Sequence, residues 1–174
     1  RFGSTRDAER AGIAIVHQEL ALFGGMTVAE NIFLTDLPRR AGRVDWPELH
    51  ARTRAVLAET QLDLDPEARV GSLGIAQQQL VEIARALARR PRILVLDEPT
   101  AALATHEVEV LLDIVRRVRA RGVACVYISH KLDEVFRVAN RITVLRDGVA
   151  RGTFLAGETT PDAIVSLMVG RPVG

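Results

Sequence analysis

The feature that most constrains this chain is an apolar run, Ile-Leu-Val-Leu at residues 93–96, that ends in two acids, Asp97 and Glu98. Four apolar residues are too few for a stable helix and suit a strand buried on both faces. Pro99 comes next, and because proline has no N–H for a ladder hydrogen bond, the strand is expected to end before it. In open parallel sheets, ligands bind at the carboxyl ends of the strands. The run therefore predicts a core strand whose end lies at a binding site.

The two acids allow two interpretations. Buried carboxylates are costly unless a cation or a proton compensates them. On the first interpretation Asp97 holds a hydrated Mg²⁺, and Glu98 orients and deprotonates a water molecule. On the second, they are a helix cap and a surface acid after an ordinary core strand. The pair alone does not decide between the two, because short motifs recur by chance.

Polar groups also follow two other apolar runs. Residues 13–16 (Ile-Ala-Ile-Val) precede His17 and Gln18, and residues 123–128 precede Ser129 and His130. The amide oxygen of Gln18 could reach a metal or an attacking water. His130 could donate to a phosphate oxygen or position the water beside Glu98. Taken singly, a glutamine after a strand is usually a solvated loop residue, and a lone histidine is more often structural than catalytic.

Small residues precede a predicted helix in the stretch Gly-Ser-Leu-Gly-Ile-Ala-Gln at residues 71–77. A helix N-terminus has unpaired N–H groups and the positive end of the dipole, which together favour phosphate. Gly74 and Ala76 leave room for a ligand to approach the backbone. The competing interpretation is an ordinary junction between a loop and a helix.

Strands alternate with helices along the chain, which predicts an α/β fold with a mostly parallel sheet. A helical insertion of about residues 19–90 is expected to interrupt the sheet lobe, with residues 169–174 as a tail or linker. Within the insertion, Thr27 and Glu30 form a capping-box pattern, and residues 38–42 are interpreted as a basic loop. Thr105 is the expected cap of the helix after Pro99. Asp147-Gly148 predicts a hairpin turn.

Composition limits the class of protein. The 174 residues suit one domain, and 23 basic against 22 acidic residues give a net charge of +1, which does not indicate a nucleic-acid surface. A single cysteine excludes a disulfide framework and fits a reducing compartment. No signal peptide opens the chain and no apolar run is long enough to cross a bilayer. Because the chain starts at Arg1 without Met, we expect it to be a fragment of something longer.

In this order, the motifs resemble the ATP-binding cassette of ABC transporters, from about Ile13 to the end of the chain. The resemblance implies a P-loop NTPase-type α/β fold with a helical signature subdomain and with its N-terminal part missing. It implies ATP and Mg²⁺ as cofactors. Gln18 corresponds to the Q-loop, residues 73–77 to the signature, Asp97 and Glu98 to Walker B and the catalytic glutamate, residues 100–104 to the D-loop, and His130 to the switch histidine.

The resemblance assigns a role to each of these residues. Catalysis would belong to Glu98 and His130, and the metal to Asp97 and Gln18. The nucleotide would be bound by Gln18, Leu73, Gly74, Ala76 and Gln77.

The chain departs from the family pattern in several places. It contains no Gly-x-x-x-x-Gly-Lys-Ser/Thr, the loop whose backbone surrounds the phosphates. We therefore expect the chain alone to bind ATP poorly and not to hydrolyse it. Gly74 lacks the hydroxyl of the usual signature serine, and Ala76 adds a methyl where the family has glycine. Ala104 replaces an aspartate that is common in D-loops.

Within the family, residues 77–87 and 127–135 look like the monosaccharide importers, and Leu73-Gly74 looks most like the xylose-type members. That group usually has two cassettes in one polypeptide, and residues 168–171 look like the end of the first. The resemblance implies an ATP-hydrolysing subunit at the cytoplasmic face of the membrane. Its implied partners are transmembrane permease subunits, a second cassette and, indirectly, a sugar-binding protein.

The apolar residues Phe23, Val28 and Phe33 are candidates for contact with the permease subunits, although each by itself is more often a core residue.

Two other functions compete with the importer. A DNA-repair or chromosome-maintenance ATPase has long coiled-coil arms between Q-loop and signature, and the short segment from Gln18 to Leu73 has no sustained heptads. A truncated, non-catalytic cassette that acts only in packing or regulation stays open because the phosphate loop is missing.

Overall fold

The structure is a computed structural model that describes residues 2–171. The chain divides into two compact units, with the boundary between Ile128 and Ser129. The first unit contains α1 (Thr5–Arg10), β1 (Ile13–Val16), α2 (Val28–Ile32), β2 (Arg39–Arg40), β3 (Arg43–Val44), α3 (Trp46–Thr60), α4 (Ile75–Ala88), β4 (Ile93–Asp97), α5 (Thr105–Ala120) and β5 (Ala124–Ile128). The second contains α6 (Leu132–Val138), β6 (Arg141–Arg146), β7 (Val149–Leu155) and α7 (Pro161–Val169).

The first unit is built on a parallel sheet of three strands in the order β1-β4-β5. The register pairs Val16 with Leu96, and Leu96 with Tyr127. Parallel strands need long crossover connections, and these are provided by the α2–α4 segment and by α5. The predicted parallel α/β arrangement of these three strands is confirmed.

Burial alternates along the strands of this sheet. Leu94 and Leu96 are fully buried, whereas Ile15, Val126 and Ile128, on the other face, are 48%, 48% and 45% exposed. Successive side chains of a strand point to opposite faces, and within residues 2–171 only one face is covered. The prediction that β4 is buried on both faces is therefore wrong for this part of the chain.

Three helices and a small hairpin lie between β1 and β4, in the segment predicted to be a helical insertion. Thr27 caps α2, and the reciprocal hydrogen bonds with Glu30 confirm the capping box. The proposed limits of a separate subdomain stay a prediction, because the two compact units divide at a different point.

Two local elements differ from the sequence prediction. Residues 38–42 are not a simple loop, because β2 and β3 pair across Ala41 and Gly42, whose φ angles are 50° and 80°. Two consecutive positive φ angles form a hairpin turn whose twist matches that of the strands. The short helix α1 was not predicted, since it has no buried residue and hence no apolar periodicity.

The cap of α5 is Ala104, and the predicted cap Thr105 is the first helical residue. Ala104 has no side-chain acceptor, but the Glu107 carboxylate accepts its backbone N–H at 2.7 Å. This contact is the second half of a capping box, and it explains why a residue without a polar side chain can occupy the position.

The second unit is a hairpin with two helices. Strands β6 and β7 pair in antiparallel register around Asp147 and Gly148, which confirms the predicted turn. Helix α7 is capped by Thr160 and begins with Pro161, as its sequence indicates. The predicted tail starts later than Val169, because Val169 ends α7 and Gly170 is its left-handed C-cap. The rest of that tail, residues 172–174, lies outside the described residues.

Among the residues that the structure describes, no helix is long and apolar enough to span a membrane.

Gly71 provides a test of backbone packing. An alanine Cβ there would lie 2.9 Å from the Gly24 carbonyl oxygen, which accepts the Gly71 N–H at 2.9 Å. We expect G71A to lower the free energy of unfolding by about 1–3 kcal/mol, because overpacking against backbone cannot relax cheaply. Urea unfolding of both proteins measures this. In the control G25A the new Cβ meets nothing within 4 Å, and an equal loss in both variants would contradict the prediction.

Candidate functional site

The carboxyl ends of the three parallel strands lie at one edge of the sheet, because the register aligns Val16 with Leu96, and Asp97 with Ile128. Gln18 follows β1 by two residues, and Glu98 follows β4 directly. The Glu98 N–H donates to the Ile128 carbonyl oxygen at 2.9 Å, which extends the ladder one residue beyond Asp97. The fold thus brings the ends of the segments containing Gln18, Asp97 and Glu98 to the same edge.

Glu98 has an unusual backbone conformation. Its φ angle is 47°, in the left-handed region. For a residue with a Cβ this conformation costs about 1–2 kcal/mol, so the surrounding structure must impose it. The Ala101 N–H donates to the Glu98 carbonyl oxygen at 3.2 Å, and Thr100 is fully buried beside it. Strained residues of this kind concentrate at functional sites. Asp147 also has a positive φ, but it lies in the turn between β6 and β7, whereas Glu98 lies at the end of a core strand.

The side chain of Gln18, in the loop after β1, is not held by any hydrogen bond among the described residues. The side chain is also exposed. Both its amide oxygen and its amide nitrogen are therefore available to a ligand at this edge of the sheet.

The predicted signature stretch is a helix N-terminus, as expected. Gly74 is the N-cap of α4, and its N–H donates to Gln77 Oε1 at 3.3 Å. Gln78 Nε2 donates to the Leu73 carbonyl oxygen at 3.0 Å. Gln77 and Gln78 thereby order the entry to α4, while the first N–H groups of a helix have no intrahelical acceptor and stay available to an anion.

Two properties of this N-terminus could not be predicted from the sequence. A Cβ built on Gly74 meets nothing within 4 Å, so the space for a serine side chain exists. Ile75, the first helical residue, is 60% exposed. An exposed isoleucine beside a phosphate-type site is chemically unexpected, and it makes the surface around the N-terminus of α4 partly apolar.

His130 is an exposed residue of the second unit, just before α6. The Ser129 Oγ accepts the Lys131 N–H at 3.0 Å and so orders the turn that contains His130. The structure brings Gln18, Asp97 and Glu98 to one edge of the first unit. The role of His130 at that edge stays a prediction.

The donor groups fit a hydrated Mg²⁺ better than a metal held only by protein. No cluster of three or more His, Cys, Asp or Glu side chains that could hold a metal occurs in the described part of the chain. Mg²⁺ usually keeps several waters and binds one or two carboxylates together with substrate phosphates. Asp97, with the amide of Gln18, matches that donor set.

A shallow cavity of about 450 Å³ in the second unit is lined by Arg146, Arg151, Ser166, Leu167, Gly170 and Arg171. Arg146 Nη1 donates to the Leu167 carbonyl oxygen at 3.2 Å, so this arginine caps the C-terminus of α7. A helix C-terminus disfavours anions, and none of the predicted site residues lines the cavity.

Comparison with known proteins identifies the family. The sequence profile of the family described as "ABC transporter" matches residues 2–101. The chain is 52% identical over 171 residues to the xylose import ATP-binding protein XylG of Moorella thermoacetica, which covers 98% of this chain and 34% of that protein. It is 51% identical over 166 residues to the protein of the same name in Escherichia coli, covering 95% and 32% respectively. The chain thus spans about a third of the length of these curated relatives.

Solved structures support the same fold. An inward-facing conformation of a putative metal-chelate type ABC transporter aligns with a TM-score of 0.77 at 19% identity, covering 92% of this chain and 65% of that one. An ATP-binding cassette of an ABC transporter in its ADP conformation aligns with a TM-score of 0.74 at 23% identity, covering 95% and 71%. Both confirm the α/β P-loop-type fold. With the family profile and the close relatives, they lead to one conclusion: this chain belongs to the ABC transporter family and is a part of an ATP-binding cassette.

Proposed function

We propose that this chain is part of the ATP-hydrolysing subunit of a sugar importer, which couples ATP binding and hydrolysis to uptake of a monosaccharide. The observation that most supports the proposal is Glu98, which follows Asp97 at the end of β4 and is held in a strained conformation at the edge reached by Gln18. The relatives named as xylose import ATP-binding proteins support a sugar as the substrate. Because the chain spans about a third of them, the proposal concerns the longer protein.

Each site residue would have a separate role in ATP hydrolysis. Mg²⁺, when bound with ATP, neutralises charge on the phosphates. Asp97 would hold its hydrated form, assisted by the Gln18 amide. Glu98 would accept a proton from the attacking water. Gln18 and His130 would contact the terminal phosphate, and the N-terminus of α4 at Leu73, Gly74, Ala76 and Gln77 would offer N–H groups to the nucleotide of a facing cassette.

The proposed partners are transmembrane permease subunits, a second cassette and, indirectly, a sugar-binding protein, with the chain at the cytoplasmic face of the membrane. Phe23 is 54% exposed and remains a candidate for contact with a permease subunit. Val28 and Phe33, the two other candidates, are buried and belong to the core.

A second candidate function is a non-catalytic cassette that acts in packing or regulation. It stays open because the 174 residues contain no phosphate-loop motif and span only about a third of the curated relatives. The coding sequence upstream of Arg1 separates the two. An in-frame Gly-x-x-x-x-Gly-Lys-Ser/Thr after an apolar strand supports the importer ATPase, and a stop codon or an unrelated sequence supports the non-catalytic cassette.

The isolated 174-residue chain is expected to bind ATP weakly, because it has no backbone loop to surround the phosphates. Titration with a fluorescent ATP analogue should give no saturation in the micromolar range. The control is the same chain extended upstream to include the phosphate loop, where the gene encodes one. Micromolar binding by the shorter chain would contradict this expectation.

In the full-length protein, E98Q should lower kcat about 10²–10⁴-fold, the usual contribution of a general base. ATP binding should be retained, because glutamine keeps the size of the side chain and removes only its basicity. Steady-state ATPase assays and nucleotide titration measure the two effects. The matched control E48Q removes an exposed carboxylate of α3. A kcat near that of wild type in E98Q would exclude Glu98 as the base.

G74S should strengthen the site that this signature completes. The Cβ has free space, and a hydrogen bond to a charged phosphate oxygen is worth roughly 1.5–3 kcal/mol. We expect KM for ATP in the full-length protein to fall about tenfold or more, since 1.4 kcal/mol corresponds to a factor of ten. Stability should change by only a few tenths of a kcal/mol. G25S is the control, and an unchanged KM in G74S would show that no phosphate reaches this position.

A further inference from the structure

The loop that contains Gln18 is attached to α4 by side chains on that helix. The Ala21 N–H donates to Glu82 Oε1 at 2.7 Å, and Arg85 Nη1 donates to the Ala21 carbonyl oxygen at 2.7 Å. Arg85 Nη2 also lies 3.4 Å from Glu82 Oε2. Both backbone polar groups of Ala21 are thus bound by one ion pair. We refer to Glu82, Arg85 and the Ala21 backbone as the Ala21 anchor.

The anchor buries a carboxylate, which is energetically costly for a contact that has only a structural role. Glu82 is only 6% exposed, and a buried carboxylate is stable only if its charge and its hydrogen-bonding capacity are both satisfied. Here Arg85 and the Ala21 N–H satisfy them. An apolar side chain could cover the same surface, but it could not bind the backbone of a loop. The geometry of the pair, a buried Glu82 and a half-buried Arg85, is therefore specific for the position of Ala21.

A second attachment follows two residues later. Phe23 donates its N–H to Asn31 Oδ1 at 2.8 Å, and Asn31 Nδ2 donates to the Phe23 carbonyl oxygen at 3.1 Å. Asn31 is fully buried in α2. By contrast, residues 17–20 make no hydrogen bond to the described range of the chain. The loop therefore has a free part that contains Gln18 and an attached part at residues 21–23.

The Ala21 anchor is close to both Gly74 and Gln18. Gly74 and Glu82 are eight residues apart on one continuous helix, a separation of about 12 Å at 1.5 Å per residue. Gln18 and Ala21 are three residues apart, so even a fully extended backbone joins them within about 10–11 Å. A displacement of α4 moves Gly74 and the anchor together, and the free part of the loop can absorb only a little of it.

We propose that Glu82 and Arg85 are positioning residues that couple the N-terminus of α4 to Gln18. This inference rests on the proposed ATPase function, in which both Gly74 and Gln18 contact nucleotide. When α4 moves as its N-terminus engages a nucleotide, the Ala21 anchor moves the loop with it and places Gln18 for hydrolysis. The coupling acts on the hydrolytic step after ATP is bound, so it sets kcat and leaves KM for ATP nearly unchanged.

The test uses the full-length protein assembled with its membrane subunits. Wild type and the variants E82A, E82Q and R85K are compared by steady-state ATPase kinetics and by hydrogen exchange of a peptide covering residues 17–23. We expect E82A to speed exchange in that peptide and to lower kcat about tenfold with KM for ATP little changed. E82Q keeps an oxygen acceptor for the Ala21 N–H and should recover most of kcat. R85K keeps the positive charge but offers one amine nitrogen in place of the two guanidinium nitrogens that contact Ala21 and Glu82. Its kcat should lie between those of E82A and wild type.

The matched control is E134A. Glu134 is also a buried glutamate on a helix, and it lies 3.5 Å from Lys131 in an i,i+3 pair, but it belongs to the second unit. It controls for the loss of a buried carboxylate as such. Thermal unfolding of every variant identifies any that fails to fold, and E82Q and R85K, which keep most of the side-chain volume, then decide the outcome.

Failure of the coupling role and failure of the proposed ATPase function give different experimental results. If wild type hydrolyses ATP and E82A matches E134A in both kcat and exchange, the coupling role is wrong and the proposed function stands. Faster exchange in E82A with an unchanged kcat also overturns it, because the anchor then holds the loop without affecting hydrolysis. If the wild-type assembly hydrolyses no ATP, the proposed function fails, and the coupling role fails with it.

Discussion

The parallel register of β1, β4 and β5 is the constraint on which the rest of the first unit depends. Pairing of Val16 with Leu96, and of Asp97 with Ile128, places three strand ends at one edge of the sheet. The register is set by burial, since a shift of one residue would turn Leu94 and Leu96 out of the core. Apolar packing on one face therefore determines where the acids lie, although the acids contribute nothing to that packing.

The second constraint is the way in which the connection between β1 and α4 is fixed. Its backbone makes few ladder hydrogen bonds, and buried polar side chains replace them: Asn31 binds Phe23, and Glu82 with Arg85 binds Ala21. Ala21 and Phe23 are exposed residues, so it is these side-chain hydrogen bonds, and not burial, that hold the loop backbone in place. The same contacts do not involve Gln18, whose exposed side chain makes no hydrogen bond within residues 2–171 and lies three positions from an attached backbone.

Much of the architecture could be predicted from short stretches of sequence. The capping box at Thr27 and Glu30, the turn at Asp147 and Gly148, and the strand before Asp97 follow from residues within a few positions of one another. The sequence prediction failed where a local structure depends on a residue that the recognised motif does not include. Ala104 caps α5 only because Glu107 reaches back to it, and β2 pairs with β3 around an alanine at positive φ, a position that sequence rules assign to glycine or asparagine.

By itself, the sequence determined the order of the core strands and the long helices, the acids at the carboxyl end of β4 and the family to which the chain belongs, because each of these depends on local periodicity or on a contiguous motif. The short elements α1, β2 and β3 were not among them. Only the tertiary structure decided that one face of the sheet is exposed in the described chain, that Glu98 has a left-handed backbone, and that Glu82 binds Ala21 across 61 positions of sequence. The physical reason is the range of the interactions. Caps, turns and alternation are set by residues within a few positions of one another, whereas an ion pair that binds a distant backbone group forms only when packing has brought the two segments together.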